Sequence, residues 1–506
     1  MKKFIALVFV LLISAFAKTA YAKTDELRGV WVSTVYNLDF PSKATADSAT
    51  LAAEIDLQVS ECKRLGFNAV FLQVRPNSDA IYPSKYFPWS RYLTGECGKA
   101  PTNNFDPLAY WIKKCHENSI QLHAWINPYK ITRSKDTDFS TLSADNPAVL
   151  HPEWVVKYSD GNYYYNPAIP EVRQLVLNGV SELIGSYDID GIHMDDYFYP
   201  GTDFNDSEQF AVYNPQNFAD IGDWRRENVN MLIRGIQDIV HTSGKNIVFG
   251  ISPSGIWDNK SSNPLGSDTR GKSSYTDLYA DSRKWVKDGM IDYIAPQIYW
   301  EFGFSIADYG ILANWWNDVC RGTNVKLYIG LADYRSVDAK VSSPWYGGSE
   351  IARQMEYNKA SEDISGEIHF RLKMILSDAN LQNIISKKYE KPIDIYVNGK
   401  KIISDTPVQI TNDRTMVPMR AVFESLGASV DWDATTGTAS GKLNNITVAV
   451  TVGSGNLIVN GAKKSLDSPA YIYGDRMYIP LRAVSEAFEF DVEWNGDKRE
   501  VYVKSS

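Results

Sequence analysis

Two carboxyl groups held across a small gap can do acid–base work on a substrate, one donating a proton and the other acting as nucleophile or activating water. The stretch 188–199 gathers acids suited to that work. Asp188, Asp190, Asp195 and Asp196 stand there beside His193 and Tyr197. Successive side chains of a strand alternate between faces, so Ile192 and Met194 share an apolar face while His193, Asp195 and Tyr197 share a polar one. In a parallel barrel the apolar face packs on helices and the polar face opens at the strand's C-terminal end, where barrel enzymes keep their sites. Asp195 is then the expected nucleophile or base. Acids that merely end a strand and cap the next element would explain one Asp, but not four beside a His.

Such a strand needs partners. Between 27 and 385 the chain alternates apolar strand-like runs with amphipathic helix-like runs, the pattern of βα units and a parallel sheet. Strands are predicted at 27–35, 68–75, 121–127, 190–196, 247–254, 291–300, 326–333 and 366–376. Helices are predicted at 51–65, 108–118, 171–185, 224–241, 278–287 and 311–320. The class is α/β, and eight units fit a (β/α)8 TIM barrel with enlarged loops; a doubly wound open sheet is the alternative.

The same division of faces recurs around the predicted ring. Gln73 and Arg75 approach the rim of the second strand, with Asn77 and Asp79 following; His123, Trp125 and Asn127 do so in the third, and Gln297, Tyr299 and Glu301 in the sixth. Buried polar groups are costly unless paired, so this accumulation reads as a site, or as a self-satisfied interior network. Glu301 has the parity expected of the general acid, with Asp196 and Asp79 as competitors. Arg75, Asp79, Asn127, His193, Tyr197, Gln297 and Tyr299 are assigned to the substrate, and Trp300 to a stacking platform. His193 either holds Asp195 by a hydrogen bond or is a buried structural His.

A chain of 506 residues implies two or more domains. Lys2 and Lys3, an apolar run over 4–17 and Ala20-Tyr21-Ala22 match a secretory signal with cleavage after Ala22, so an exported or surface protein is expected. No later stretch is long and apolar enough to be a transmembrane helix. The net charge of −9 without a Lys/Arg block argues against nucleic-acid binding. Cys62, Cys97, Cys115 and Cys320 form no C-x-x-C pair, and Cys62 and Cys115 are expected to be buried thiols. Six scattered His give no ligand cluster, so neither metal nor other cofactor is expected. The 14 Trp and 30 Tyr favour a carbohydrate ligand, because sugar C–H faces stack on aromatic rings.

Six segments carry a family resemblance: Leu27-Arg28-Gly29-Val30-Trp31-Val32, Leu72-Gln73-Val74-Arg75-Pro76, 123–129, 190–197, 250–257 and 293–300. In this order they resemble the glycosyl-hydrolase-like family 10 of bacterial surface proteins. The resemblance implies a (β/α)8 barrel, glycoside hydrolase activity and bacterial cell-wall glycan as substrate, peptidoglycan stripped of peptide included. The fourth strand is also distantly similar to that of α-glycosidase barrels, Asp-Gly-x-Arg-x-Asp, which places Asp195 at the nucleophile and His193 where the Arg stands. It further resembles the Asp-Gly-x-Asp-x-Asp-x-Glu strand of chitinase-type enzymes, whose acid falls here on Tyr197. Two rival functions are a glycan-binding protein on a degenerate barrel and a deacetylase or metal hydrolase.

After a polar linker at 387–392 a smaller α+β domain spans 392–506, following a barrel domain at 27–388. It is a duplication. Val397-Asn398-Gly399 recurs as Val459-Asn460-Gly461, Pro418 as Pro480 and Trp432 as Trp494, at a constant offset of 62 (480 − 418 = 494 − 432). The unit resembles the stalk domain first recognised at the N-terminus of copper amine oxidases, which implies attachment to the cell envelope. A spacer is expected, with a carbohydrate-binding module as the functional alternative.

Overall fold

The computed structural model describes residues 26–133, 138–390, 392–404, 406–496 and 498–505; the expected signal segment at 1–22 lies outside them. Asp residues set where the long helices begin. Asp47, Asp106, Asp220 and Asp308 each accept a hydrogen bond from a backbone N–H of the first turn, at Thr50, Ala109, Asp223 and Ile311. The helices they open are Ser48–Leu65, Pro107–Glu117, Ile221–Thr242 and Tyr309–Cys320. Helix Pro170–Ser186 starts instead with Pro at its first position.

Eight parallel strands alternate with these helices and close on themselves. They are β1 (Leu27–Val32), β2 (Ala69–Arg75), β3 (Gln121–Ile126), β4 (Gly191–Met194), β5 (Val248–Ile251), β6 (Tyr293–Ile294), β7 (Lys326–Leu331) and β8 (Ile364–His369). Neighbours in sequence are neighbours in the ring, and β8 pairs with β1. The closure removes the doubly wound alternative. Several strands end two or three residues short of expectation, and three elements differ more. The sixth strand is only two residues long, the eighth gives way to a helix at Leu372–Leu376, and the helix expected at 278–287 is reduced to Ser282–Lys287. Helices Ser349–Ala360 and Ala379–Tyr389 were not expected.

The strands bury two distinct cores. Outward-facing Val70, Leu72, Ile192, Met194 and Ile251 pack under the helices, whereas Trp31, Phe71, Trp125, Tyr293 and Ile368 fill the interior of the ring. Room for these large rings comes from glycine. A Cβ on Gly191 would lie 2.2 Å from His123 Nδ1, and one on Gly250 would lie 2.2 Å from the Tyr293 ring.

Residues 390–506 belong to a separate unit of mostly antiparallel sheets with two short helices, Met419–Ser425 and Leu481–Ala487. Its two copies meet about a pseudo-twofold. Met416 pairs with Pro480, Val417 with Ile479 and Pro418 with Tyr478, so equivalent strands run antiparallel across Val417 and Ile479. Cys62, Cys115 and Cys320 are buried in the barrel, and desolvation raises the pKa of each thiol.

Candidate active site

A cavity of about 340 Å³ opens where the C-terminal ends of the strands meet. Asp195 and Asp196 are its acids, and Trp125, Tyr197, Gln297 and Tyr299 line it with them. Asp195 is 4 % exposed and receives a ring of donors. Asn127 Nδ2 lies 2.7 and 2.6 Å from its two oxygens, Trp125 Nε1 donates at 3.2 Å and the backbone N–H of Tyr197 at 3.1 Å.

These donors are themselves fixed. Gln73 Nε2 donates to Asn127 Oδ1 at 2.8 Å, which leaves the Asn127 amide only one orientation, with its NH2 toward Asp195. Gln73 Oε1 in turn accepts from the backbone N–H groups of Thr34 and Val35. Gln73 and Asn127 thus form part of a continuous network from the end of β1 to the Asp195 carboxylate.

Burial pushes the pKa of Asp195 up to about 7, with the neighbouring charge of Asp196 adding to the rise and the Asn127 and Tyr197 bonds opposing it. Asp196 is also raised by burial, against a hydrogen bond from Gln297 and the charges of Lys272 and Lys130. Two adjacent acids titrate as a pair, because the first charge to form disfavours the second. Burial alone would favour the proton on Asp195, but both of its oxygens accept from Asn127 Nδ2, so the charge settles there and the shared proton on Asp196.

Cations stand at one wall. The ammonium of Lys130 lies 5.2 Å over the Tyr197 ring and the guanidinium of Arg133 lies 5.4 Å over it. Burial, reinforced by the charge of Arg133, pushes the Lys130 pKa down to about 8. The adjacent aspartates raise that of Tyr197 to about 12, with Asp196 the largest contribution.

Other expected site residues are placed elsewhere. His193 lies beneath the cavity and makes no bond to Asp195. Its Nε2 accepts from Trp31 Nε1 at 3.1 Å, so the proton sits on Nδ1, which donates to Tyr293 Oη at 3.0 Å. Burial pushes its pKa well below the ordinary range, so it stays neutral and structural.

Arg75 does not reach the mouth. A β-bulge lies between Gln73 and Arg75, whose partners Trp125 and Ile126 are consecutive, so the extra residue flips Arg75 to the outer face. Its guanidinium stacks 3.7 Å from the centre of the Phe87 ring and lies against Gly179 of helix Pro170–Ser186.

Asp79 lines a separate, water-sized cavity of about 20 Å³ with Asn77 and Asn146, where burial pushes its pKa up to about 6.

Face parity assumed a strand continuing to residue 301, but β6 ends at Ile294. The chain turns before Glu301, whose carboxylate accepts from Trp345 Nε1 at 3.0 Å and lies 3.5 Å from Arg335, away from the cavity lining. Trp300 also falls outside that lining, its ring within 3.1 Å of where a Gly255 Cβ would stand.

Sequence reasoning left out Trp31, Ser252, Tyr334, Phe370 and Arg133, which do line the cavity. Trp31, Ser252 and Phe370 lie on or just beyond β1, β5 and β8, so applying the strand-end rule to every strand would have found them. Arg133 lies in a long loop without periodicity, where no such signal exists.

Residues 26–347 match the family model described as "Glycosyl hydrolase-like 10". The chain belongs to the glycosyl hydrolase-like 10 family. Residues 396–503 match the copper amine oxidase N-terminal domain. Among curated relatives, "Glycosyl hydrolase YngK" of Bacillus subtilis (strain 168) is 44 % identical over 360 residues, 70 % of this chain and 70 % of that protein. "Glycosyl hydrolase DigH" of Escherichia coli (strain K12) is 38 % identical over 374 residues, 70 % of this chain and 84 % of that protein. A similar solved structure is the PgaB (BpsB) glycoside hydrolase domain from Bordetella bronchiseptica, at TM-score 0.48 and 14 % identity over 71 % of this chain and 98 % of that one. Membership of this glycosyl hydrolase-like 10 family supports a glycosidase-type function for the barrel. Among the described residues no cluster of His, Cys, Asp and Glu could hold a metal, and no helix is long and apolar enough to cross a membrane.

Proposed function

We propose that the barrel hydrolyses glycosidic bonds of bacterial cell-wall glycan, with peptidoglycan strands free of peptide as the substrate, after export directed by residues 1–22. The observation that carries this reading is the adjacent acids Asp195 and Asp196 on the wall of a sugar-sized cavity at the open end of the ring. Asp196 gives its proton to the glycosidic oxygen as the C1–O bond breaks, and the leaving sugar departs as an alcohol. The charge of Asp195, fixed by Asn127 and Trp125, stabilises the cationic anomeric carbon until water completes hydrolysis and returns a proton to the pair. Tyr299 and Trp125 supply flat faces for sugar rings, and Gln297 bridges to Asp196.

The test is product release from purified peptide-free glycan strands by the full chain. Mass spectrometry should find shortened strands for the natural protein and none for Asp195→Asn. A folded natural protein that binds the strands yet releases nothing on long incubation would make the barrel a glycan receptor instead.

A further inference from the structure

The duplicated unit holds two grooves, of about 550 and 670 Å³, and the offset of 62 maps one onto the other. One is lined by Trp494, Arg482 and Glu486 from the second copy with Ile410, Asp413 and Arg414 from the first. The other is lined by Trp432, Arg420 and Glu424 from the first copy with Ile472, Asp475 and Arg476 from the second. Each residue of one set is the repeat equivalent of the same residue type in the other. The pseudo-twofold pairing about Val417 and Ile479 is what brings the two copies together to build both grooves.

The two copies have diverged at several buried positions. Buried Phe423 corresponds to buried Ser485, Met416 to Tyr478 and Leu426 to Phe488. A recent duplication would leave these alike as well. Identity persists at exposed positions whose placement does little for folding, as well as at buried ones such as Val422 and Val484. Trp432 and Trp494 are 42 % and 40 % exposed, and Ile410 and Ile472 are both 49 % exposed. Large apolar side chains left in water at matching places mark a binding surface. Among the described residues no hydrogen bond or ion pair occupies the guanidinium of Arg420 or Arg482.

We infer that the two grooves are equivalent saccharide-binding sites, so that the unit grips a glycan strand at two points. An open indole face accepts the C–H face of a sugar ring, while the Arg and Glu one helical turn apart, at 420 and 424 or at 482 and 486, reach hydroxyl and acetamido groups on its edge. The choice of a glycan rests on the function proposed for the barrel on the same chain. Two weak sites on one unit bind a repeating polymer far more tightly than either alone.

Titration of the full chain carrying Asp195→Asn with tetrasaccharides from peptide-free peptidoglycan tests this. The barrel and two grooves should give three sites, and Trp432→Ala/Trp494→Ala should leave one. Retention on long strands should fall about tenfold for each single change and at least about a hundredfold for the pair. Should the barrel reading fail, two sites would remain and the Trp changes would still abolish them. Arg420→Ala/Arg482→Ala, at exposed positions, provides an independent pair if the Trp variants misfold, and weakening is expected there too. Unchanged stoichiometry and retention in both double variants would overturn the inference. So would binding to wall stem peptides in the absence of any affinity for the sugars.

Discussion

The mouth of the barrel and the grooves of the duplicated unit reveal themselves by opposite departures from ordinary folding. In the barrel the sign is charge where water is scarce, with Asp195 only 4 % exposed beside a second acid. In the duplicated unit it is apolar surface where water is plentiful, with two Trp about two-fifths exposed. Each arrangement works against stability, the first through desolvation and the second through unburied apolar area. The difference also separates what the two regions can do. A buried acid pair can change the bonding of a substrate, whereas an exposed indole can only hold one.

The sharpest way to break this contrast is to remove charge without changing shape. Asp195→Asn should lower kcat by about a thousandfold or more, read as product release from peptide-free glycan strands. Retained turnover would move the chemistry away from the cavity. A step smaller is Asn127→Ala, which leaves the acids in place but removes the amide that holds Asp195. A loss of roughly ten- to a hundredfold in kcat with KM little changed is expected, because the amide acts through Asp195 and not on the sugar. If KM rose and kcat held, Asn127 would be a substrate ligand.

Much of this architecture was legible in the sequence, for a physical reason. Alternation of apolar and polar side chains survives wherever a strand stays regular, so the eight strands, their order and the inward aim of Asp195 could be read directly. The same rule failed where the backbone departed from a two-residue repeat. The bulge before Arg75 turned that side chain outward, and the end of β6 at Ile294 removed the parity assigned to Glu301. The duplication was visible as a fixed offset, but its consequence was not. Only the pairing of Val417 with Ile479 shows that each groove takes residues from both copies.

The cost of burying charge should also be measurable as stability. Burial and mutual repulsion raise the pair of Asp195 and Asp196 above the ordinary carboxylate range, Asp195 to about 7. Between that range and about 7 the folded pair keeps a proton that the unfolded chain has released, so the pair's contribution is full below the ordinary range and is lost as pH rises through about 7. Asp195→Asn removes that loss. The variant should gain roughly 1 to 3 kcal/mol over the natural protein at pH 8 and little at pH 4, seen as a higher Tm of the barrel transition only at the higher pH. A gain independent of pH would mean that the carboxylate is not the source of the strain.

The smallest expected effect is the most discriminating test of the cavity's boundary. Glu301 was the acid favoured by strand parity, yet its carboxylate lies between Trp345 and Arg335 and outside the cavity lining. Its side chain is 23 % exposed, so water screens its charge and its pairing with Arg335 contributes little. Glu301→Gln keeps the bond from Trp345 while removing the charge, and should change kcat on glycan strands by less than about threefold. A loss comparable to that of Asp195→Asn would mean that the loop carrying Glu301 swings over the cavity when substrate binds. The acid pair would then be Asp195 with Glu301, and Asp196 would serve only to raise the pKa of its neighbour.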